Sequence, residues 1–98
     1  MSTQIVQQLK ENTPYLKNQG FTYLGLFGSY SRGEETQSSD VDLMFEFEKP
    51  KSFFELADIK LSLEEVLGRK VDLVSRKSVK DNLKPFISKD IIKIYEKE

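Results

Sequence analysis

The apolar positions of this chain fall into segments of distinct period. From Ile5 to Lys17 the apolar residues 5, 6, 9, 15 and 16 recur at loosely helical spacing. Thr13-Pro14 starts a fresh helical turn there, with Thr as N-cap and Pro at the first helical position. Asn18-Gln19-Gly20 closes it, since glycine suits the left-handed position after a helix. Phe21 to Phe27 (FTYLGLF) is aromatic and apolar and reads as a buried strand. It runs directly into Gly28-Ser29, and the polar stretch Ser31 to Ser39 reads as a loop. Val41 to Phe47 then alternates strictly. Val41, Leu43, Phe45 and Phe47 share one face of a strand, and Asp40, Asp42, Met44, Glu46 and Glu48 share the other.

The second half opens with Ser52-Phe53-Phe54-Glu55, a capping box in which Ser caps the helix and Glu stands three residues on. The helix it starts carries Phe53, Leu56, Ile59, Leu63 and Leu67 on one stripe, and Gly68 ends it. Lys70 to Ser75 (KVDLVS) is a third short strand. Ser78 and Asp81 mark another helix start, and Pro85 begins a last helical piece through Ile92. The tail, Lys93 to Glu98, is either a frayed end or a short strand. The order α-β-β-α-β-α defines an α+β or α/β sandwich in which helices cover a small sheet.

Length and composition narrow the chemistry. The 98 residues are expected to form one domain, residues 1–98. Fifteen basic against 16 acidic residues give a net charge of −1, too balanced for a field that would favour nucleic acid. Cysteine and histidine are both absent, which removes disulfides, thiolate chemistry, Ser-His and Cys-His catalysis and most zinc sites. Catalysis must run on carboxylates, hydroxyls, Lys or Arg. The first residues lack a basic region followed by an apolar run, and no apolar stretch approaches a membrane span, so no membrane association and a cytoplasmic location are expected.

One constellation fits those limits: Gly28-Ser29, ten residues, then Asp40-Val41-Asp42. On a strand the two aspartates leave the same face roughly 7 Å apart. Paired carboxylates repel unless a cation lies between them. Mg²⁺ takes one or two carboxylates together with phosphate oxygens, and two such ions clamp the attacking and leaving oxygens of a phosphoryl transfer. Gly28 lets a phosphate approach the backbone. The following residues, Tyr30 to Arg32, offer a helix start whose N–H groups favour an anion. The Ser29 hydroxyl supplies a further hydrogen bond, and Arg32 either adds charge toward a triphosphate or stands as a solvated loop arginine. Asp72, between Val71 and Leu73, is a carboxylate in an apolar strand, costly without a partner or role. With the third strand beside the second, Asp72 joins Asp40 and Asp42 as a metal ligand and proton acceptor.

GSYSRGEETQSSDVDLMFEF resembles the signature of the nucleotidyltransferase superfamily related to DNA polymerase β: hG[GS], about ten residues, Dh[DE]h, and a third acidic residue on a later strand. FTYLGLFGSYSRGE, SSDVDLMFEFE and LGRKVDLVSRKSVKDNLKPFI resemble the minimal nucleotidyltransferase antitoxin group, over about Tyr15 to Ile92. The resemblance implies the minimal polymerase β-like fold, a small mixed sheet flanked by helices. It implies that Gly28 and Ser29 bind the triphosphate of ATP. Asp40, Asp42 and Asp72 would hold two Mg²⁺ ions, Asp72 also acting as base. It further implies transfer of AMP to a tyrosine of a HEPN-type ribonuclease toxin, in a homo- or hetero-oligomer. Two other functions fit the same residues: nucleotidyl transfer to a small molecule of the aminoglycoside kind, and an antitoxin that masks its partner without turnover. Ser31, Glu34, Glu46 and Glu48 read as loop or solvated strand-end residues, Lys49-Pro50-Lys51 as a turn, and Tyr15, Tyr23 and Tyr30 as core or rim aromatics.

Overall fold

The computed structural model describes residues 2–36, 38–78 and 90–97, and the N-terminal apolar positions become two helices, α1 (Ser2–Glu11) and α2 (Thr13–Asn18). Pro14 sits in the first turn of α2, but the N-cap is Asn12 rather than Thr13. The Thr13 hydroxyl instead donates back to the Lys10 carbonyl at 2.7 Å, so the break between the helices falls one residue earlier than the Thr-Pro pair suggests. Gly20, at φ 86°, turns the chain from α2 into the first strand, as expected.

Four strands form one mixed sheet in the order β3-β2-β1-β4: β1 (Phe21–Phe27), β2 (Val41–Phe47), β3 (Val71–Ser75) and β4 (Ile92–Glu96). β1 runs antiparallel to β2 and β4, and β2 runs parallel to β3. A parallel pair needs a crossover, which α4 (Phe53–Leu67) supplies. Its capping box is complete, the Ser52 hydroxyl accepting from Glu55 N and Glu55 Oε1 from Ser52 N, each at 3.2 Å. Gly68 ends it in the left-handed conformation. A four-residue helix, α3 (Ser29–Arg32), follows β1, and a single 3-10 turn, Arg76–Ser78, follows β3.

The core lies between the helices and one face of the sheet. Ile5, Leu9 and Leu16 of the N-terminal helices and Ile59, Leu63 and Leu67 of α4 pack with Leu24, Leu26, Val41, Leu43, Val71 and Ile94 of the strands. A shift of register between Phe21 and Tyr23 lets Phe21 join Leu24 on this face although the two are three residues apart. Phe45 and Phe47 are only half-buried at the margin.

Two further expectations fail. Phe53 is not part of the buried stripe of α4: it is 80% exposed, and Phe54 beside it 79%. It stands in the first turn of α4, ahead of Ile59, the first buried residue of the helix. The helix expected to run through Ile92 does not do so, because Ile92 opens β4, pairing with Leu26 of β1. Residues 92–96 alternate between the core, where Ile94 is buried, and the surface, and this period-two pairing overrides the helix signal. The rest of that piece, from Pro85, and the helix start at Asp81 lie outside the described residues, and Ser78 ends the 3-10 turn. Among the described residues no helix is long and apolar enough to cross a membrane.

Candidate active site

The site is assembled where β1 ends and where β2 and β3 begin. β1 delivers Phe27 opposite Asp42 and then turns at Gly28, with φ 77° and ψ −152°. Backbone in that region is essentially restricted to glycine. A Cβ on Gly28 would collide with the Asp42 carboxylate, so the glycine backbone lies directly against that side chain. Ser29 and Tyr30 open α3. The Ser31 hydroxyl and N–H and the Arg32 N–H all donate to the Gly28 carbonyl, at 2.8, 3.2 and 3.3 Å, and Gly33 closes the turn at φ 71°. Ser31, expected as a loop residue, therefore fixes the Gly28 turn. Tyr30 is buried in the core, in agreement with its expected role.

The carboxylates are brought together by register. β2 and β3 pair in parallel with Asp42 directly beside Asp72, so both side chains leave the same face of strands about 4.8 Å apart. Two backbone contacts hold that alignment at its start. The Val41 N–H donates to the Lys70 carbonyl at 2.8 Å, and the Val71 N–H donates to Oε2 of Glu64 on α4 at 2.9 Å. Asp40 lies just ahead of β2, exposed, as is Asp72; Asp42 is half-buried between them.

The electrostatics of Asp42 record this arrangement. Burial raises its carboxyl above the ordinary aspartate value, the negative charges of Asp72 and Asp40 raise it further, and the Arg32 guanidinium opposes them. Arg32 is exposed on the last turn of α3 and also pairs with Glu34, Nε to Oε2 at 3.4 Å. All six expected residues thus lie around one end of the sheet: Gly28, Ser29 and Arg32 on one side of Asp42, Asp40 and Asp72 on the other.

No three of the described acidic residues form a ready-made metal cage. The donor set nevertheless fits a divalent ion in another way. Mg²⁺ usually takes one or two protein carboxylates and completes its shell with water and phosphate oxygens. An Asp-Asp pair in register, with one shared arginine to offset it, leaves negative charge for such an ion to neutralise.

Two contributions were not visible in the sequence. Glu64 sits on a helix face with nothing in its spacing to reveal that it holds the start of β3. Arg76 stacks on the Tyr23 ring with its guanidinium carbon 4.2 Å from the centroid, and pairs with Glu46 at 3.7 Å and Glu96 at 4.0 Å. It thereby ties the end of β3 to the other three strands.

A strand, a glycine turn and two aspartates in register on neighbouring parallel strands thus meet at one end of the sheet. The chain belongs to the nucleotidyltransferase domain family, which it matches over residues 4–96, and within it to the minimal nucleotidyltransferases. It is 37% identical over 81 residues to a Methanocaldococcus jannaschii protein assigned as a protein adenylyltransferase, covering 83% of this chain and 87% of the relative. A solved structure assigned as a minimal nucleotidyltransferase superposes with a TM-score of 0.79 at 28% identity, over 93% of each chain. The fold is shared, with a TM-score of 0.67 at 19% identity, by a chain of the complex between a tri-AMPylated Shewanella oneidensis HEPN toxin and an MNT antitoxin. That match covers 93% of this chain and 72% of the other.

Proposed function

We propose that this protein is an ATP- and Mg²⁺-dependent protein adenylyltransferase that places AMP on a tyrosine hydroxyl of a HEPN-type toxin and so acts as its antitoxin. The observation that carries this reading is the pairing of Asp42 with Asp72 beside a glycine whose backbone lies against Asp42. Membership of the family and the adenylyltransferase relatives support it.

In this reading the triphosphate of ATP lies along the Gly28-Ser29 turn, with the Ser29 hydroxyl and Arg32 directed to phosphate oxygens. Asp40 and Asp42 hold Mg²⁺, and Asp72 reaches a second ion. When bound, the ions neutralise charge on the phosphates and on the departing pyrophosphate. With no histidine for a covalent relay, transfer is direct. The tyrosine oxygen attacks the α-phosphorus, the bond to the β-phosphate bridging oxygen breaks, and pyrophosphate leaves. Asp72 takes the phenolic proton. A phenol ionises near pH 10, well below an aliphatic alcohol, which suits a carboxylate base. The added phosphate brings bulk and negative charge that repel RNA from a ribonuclease surface.

The test is mass spectrometry of the purified toxin after incubation with this protein, ATP and Mg²⁺. One or more AMP units should appear, and should be absent with Asp42→Asn and with Tyr→Phe in the acceptor. An inhibited but unmodified toxin would show that binding alone does the work.

A further inference from the structure

Glu64 stands where neither its helix nor its surroundings favour an anion. It lies in the last turn of α4, which holds no basic residue, and that end of a helix favours cations. Asp72, one residue beyond Val71, adds like charge close by. The half-buried Glu64 carboxylate nevertheless keeps a defined contact, its Oε2 accepting the Val71 N–H at 2.9 Å. That N–H belongs to the Lys70–Val71 peptide, whose carbonyl accepts the Val41 N–H at 2.8 Å. One peptide plane is therefore held from both sides, by α4 through Glu64 and by β2 through Val41. Val41 lies between Asp40 and Asp42, and Val71 directly precedes Asp72. A charged acceptor on the N–H also polarises the peptide and strengthens its carbonyl as an acceptor.

Resting on the adenylyltransferase reading, we infer that Glu64 is a positioning residue for the carboxylate site: through the Lys70–Val71 peptide it sets the distance between Asp72 and the Asp40–Asp42 pair. It touches neither nucleotide nor reacting atoms, because α4 packs on the core face of the sheet, whereas Asp42 and Asp72 leave the opposite face. What the site requires of Glu64 is reach rather than charge. A glutamine keeps the length and an acceptor oxygen and loses the charge, whereas an aspartate keeps the charge and is one methylene too short. Carboxylates on two strands can share a divalent ion only at the right spacing. Groups that orient metal ligands from behind are worth about 10–100-fold in metal affinity.

The experiment uses the full chain and Mn²⁺–ATP, whose binding is read by water-proton relaxation below the melting temperature of every variant. Hydrogen exchange of the Val71 amide, followed by NMR, reports the bond itself. Glu64→Gln should bind Mn²⁺–ATP within about threefold of the unaltered protein, and Glu64→Asp about tenfold more weakly, with Val71 exchanging faster. Ser52→Ala, which weakens α4 at its other end, should leave that affinity unchanged. The reverse order, with Glu64→Asp near normal and Glu64→Gln weak, would assign the effect to charge and overturn the inference. A folded Glu64→Asp protein whose Val71 amide exchanges freely but whose affinity is unchanged overturns it too. So does a loss in Ser52→Ala equal to that in Glu64→Asp. In each of these cases Asp42→Asn still abolishes Mn²⁺–ATP binding and the site reading stands. If the unaltered protein does not bind Mn²⁺–ATP, or Asp42→Asn binds it equally well, the site reading falls and this inference with it.

Discussion

Gly28→Ala is the sharpest single test of how the site is built. Two separate costs act there. The backbone at φ 77° and ψ −152° lies where an alanine is strained by about 1–3 kcal/mol. The new methyl would also occupy the space of the Asp42 carboxylate, so either the turn shifts or Asp42 leaves its position. Gly33 provides the control, because it has φ 71° but nothing within 4 Å of a new Cβ, leaving only the left-handed backbone cost of about 1–2 kcal/mol. The collision adds roughly 1–3 kcal/mol at Gly28 unless Asp42 moves. A domain of this size loses about 4–8 °C in melting temperature per kcal/mol. Gly28→Ala should therefore melt well below Gly33→Ala, or match it while losing ATP-dependent stabilisation because Asp42 has been displaced. Thermal melts with and without ATP and Mg²⁺ read both quantities. If Gly28→Ala matches Gly33→Ala in stability and also keeps nucleotide binding and transfer, the close packing of Gly28 on Asp42 has no consequence and the reasoning fails.

Asp42→Asn should abolish transfer while leaving the metal-free fold at least as stable as before. The Asp42 carboxyl is raised by burial first and by Asp72 and Asp40 second, so its folded form binds a proton more tightly than the unfolded chain does. Its contribution to stability is therefore greatest below the ordinary aspartate value and is lost as pH rises through the raised one. A carbon NMR titration should find its midpoint above 3.8, and Asp72→Asn should lower that midpoint; a midpoint at or below 3.8 would contradict the placement. ATP at 100 times its Kd should stabilise the protein by about 2.7 kcal/mol with Mg²⁺ or Mn²⁺, and much less in EDTA. Equal stabilisation in both would show that the carboxylates are not the metal site. Ser52→Ala should cost about 1 kcal/mol by urea denaturation, since it removes the hydroxyl that accepts the Glu55 N–H; no loss would mean that the cap is idle.

Much of this was legible because local signals and tertiary needs agree. The alternation of Val41 to Phe47 fixed β2 and placed Asp42 on the face away from the core. The Ser52–Glu55 box fixed the start of α4, and the glycine turn fell where the apolar run of β1 stopped. What stayed hidden depends on partners far away in sequence. Phe53 has helical spacing with Leu56 and Ile59, and spacing cannot say which turns of the helix reach the core. For the tail from Lys93 a short strand stood as one of two alternatives, and it is pairing with the edge of β1 that decides for the strand and extends it back to Ile92. Ser31 looked like loop filler because its bond to the Gly28 carbonyl needs the turn to exist first.

The site itself is a consequence of register. Side chains on a strand alternate with period two, so a slip of one residue between β2 and β3 would set Asp72 beside Val41 or Leu43 and pair Asp42 with an apolar neighbour. Burial opposes such a slip, because Val71 would leave the core and Asp72 would enter it. Like charge favours it, since Asp42 and Asp72 repel in the aligned pairing. The aligned pairing prevails through apolar burial, the Val41 bond to Lys70, and Glu64, which accepts the first N–H of β3. The repulsion between the two aspartates is thus held in place by groups on the opposite side of the strands, and a bound cation would relieve it.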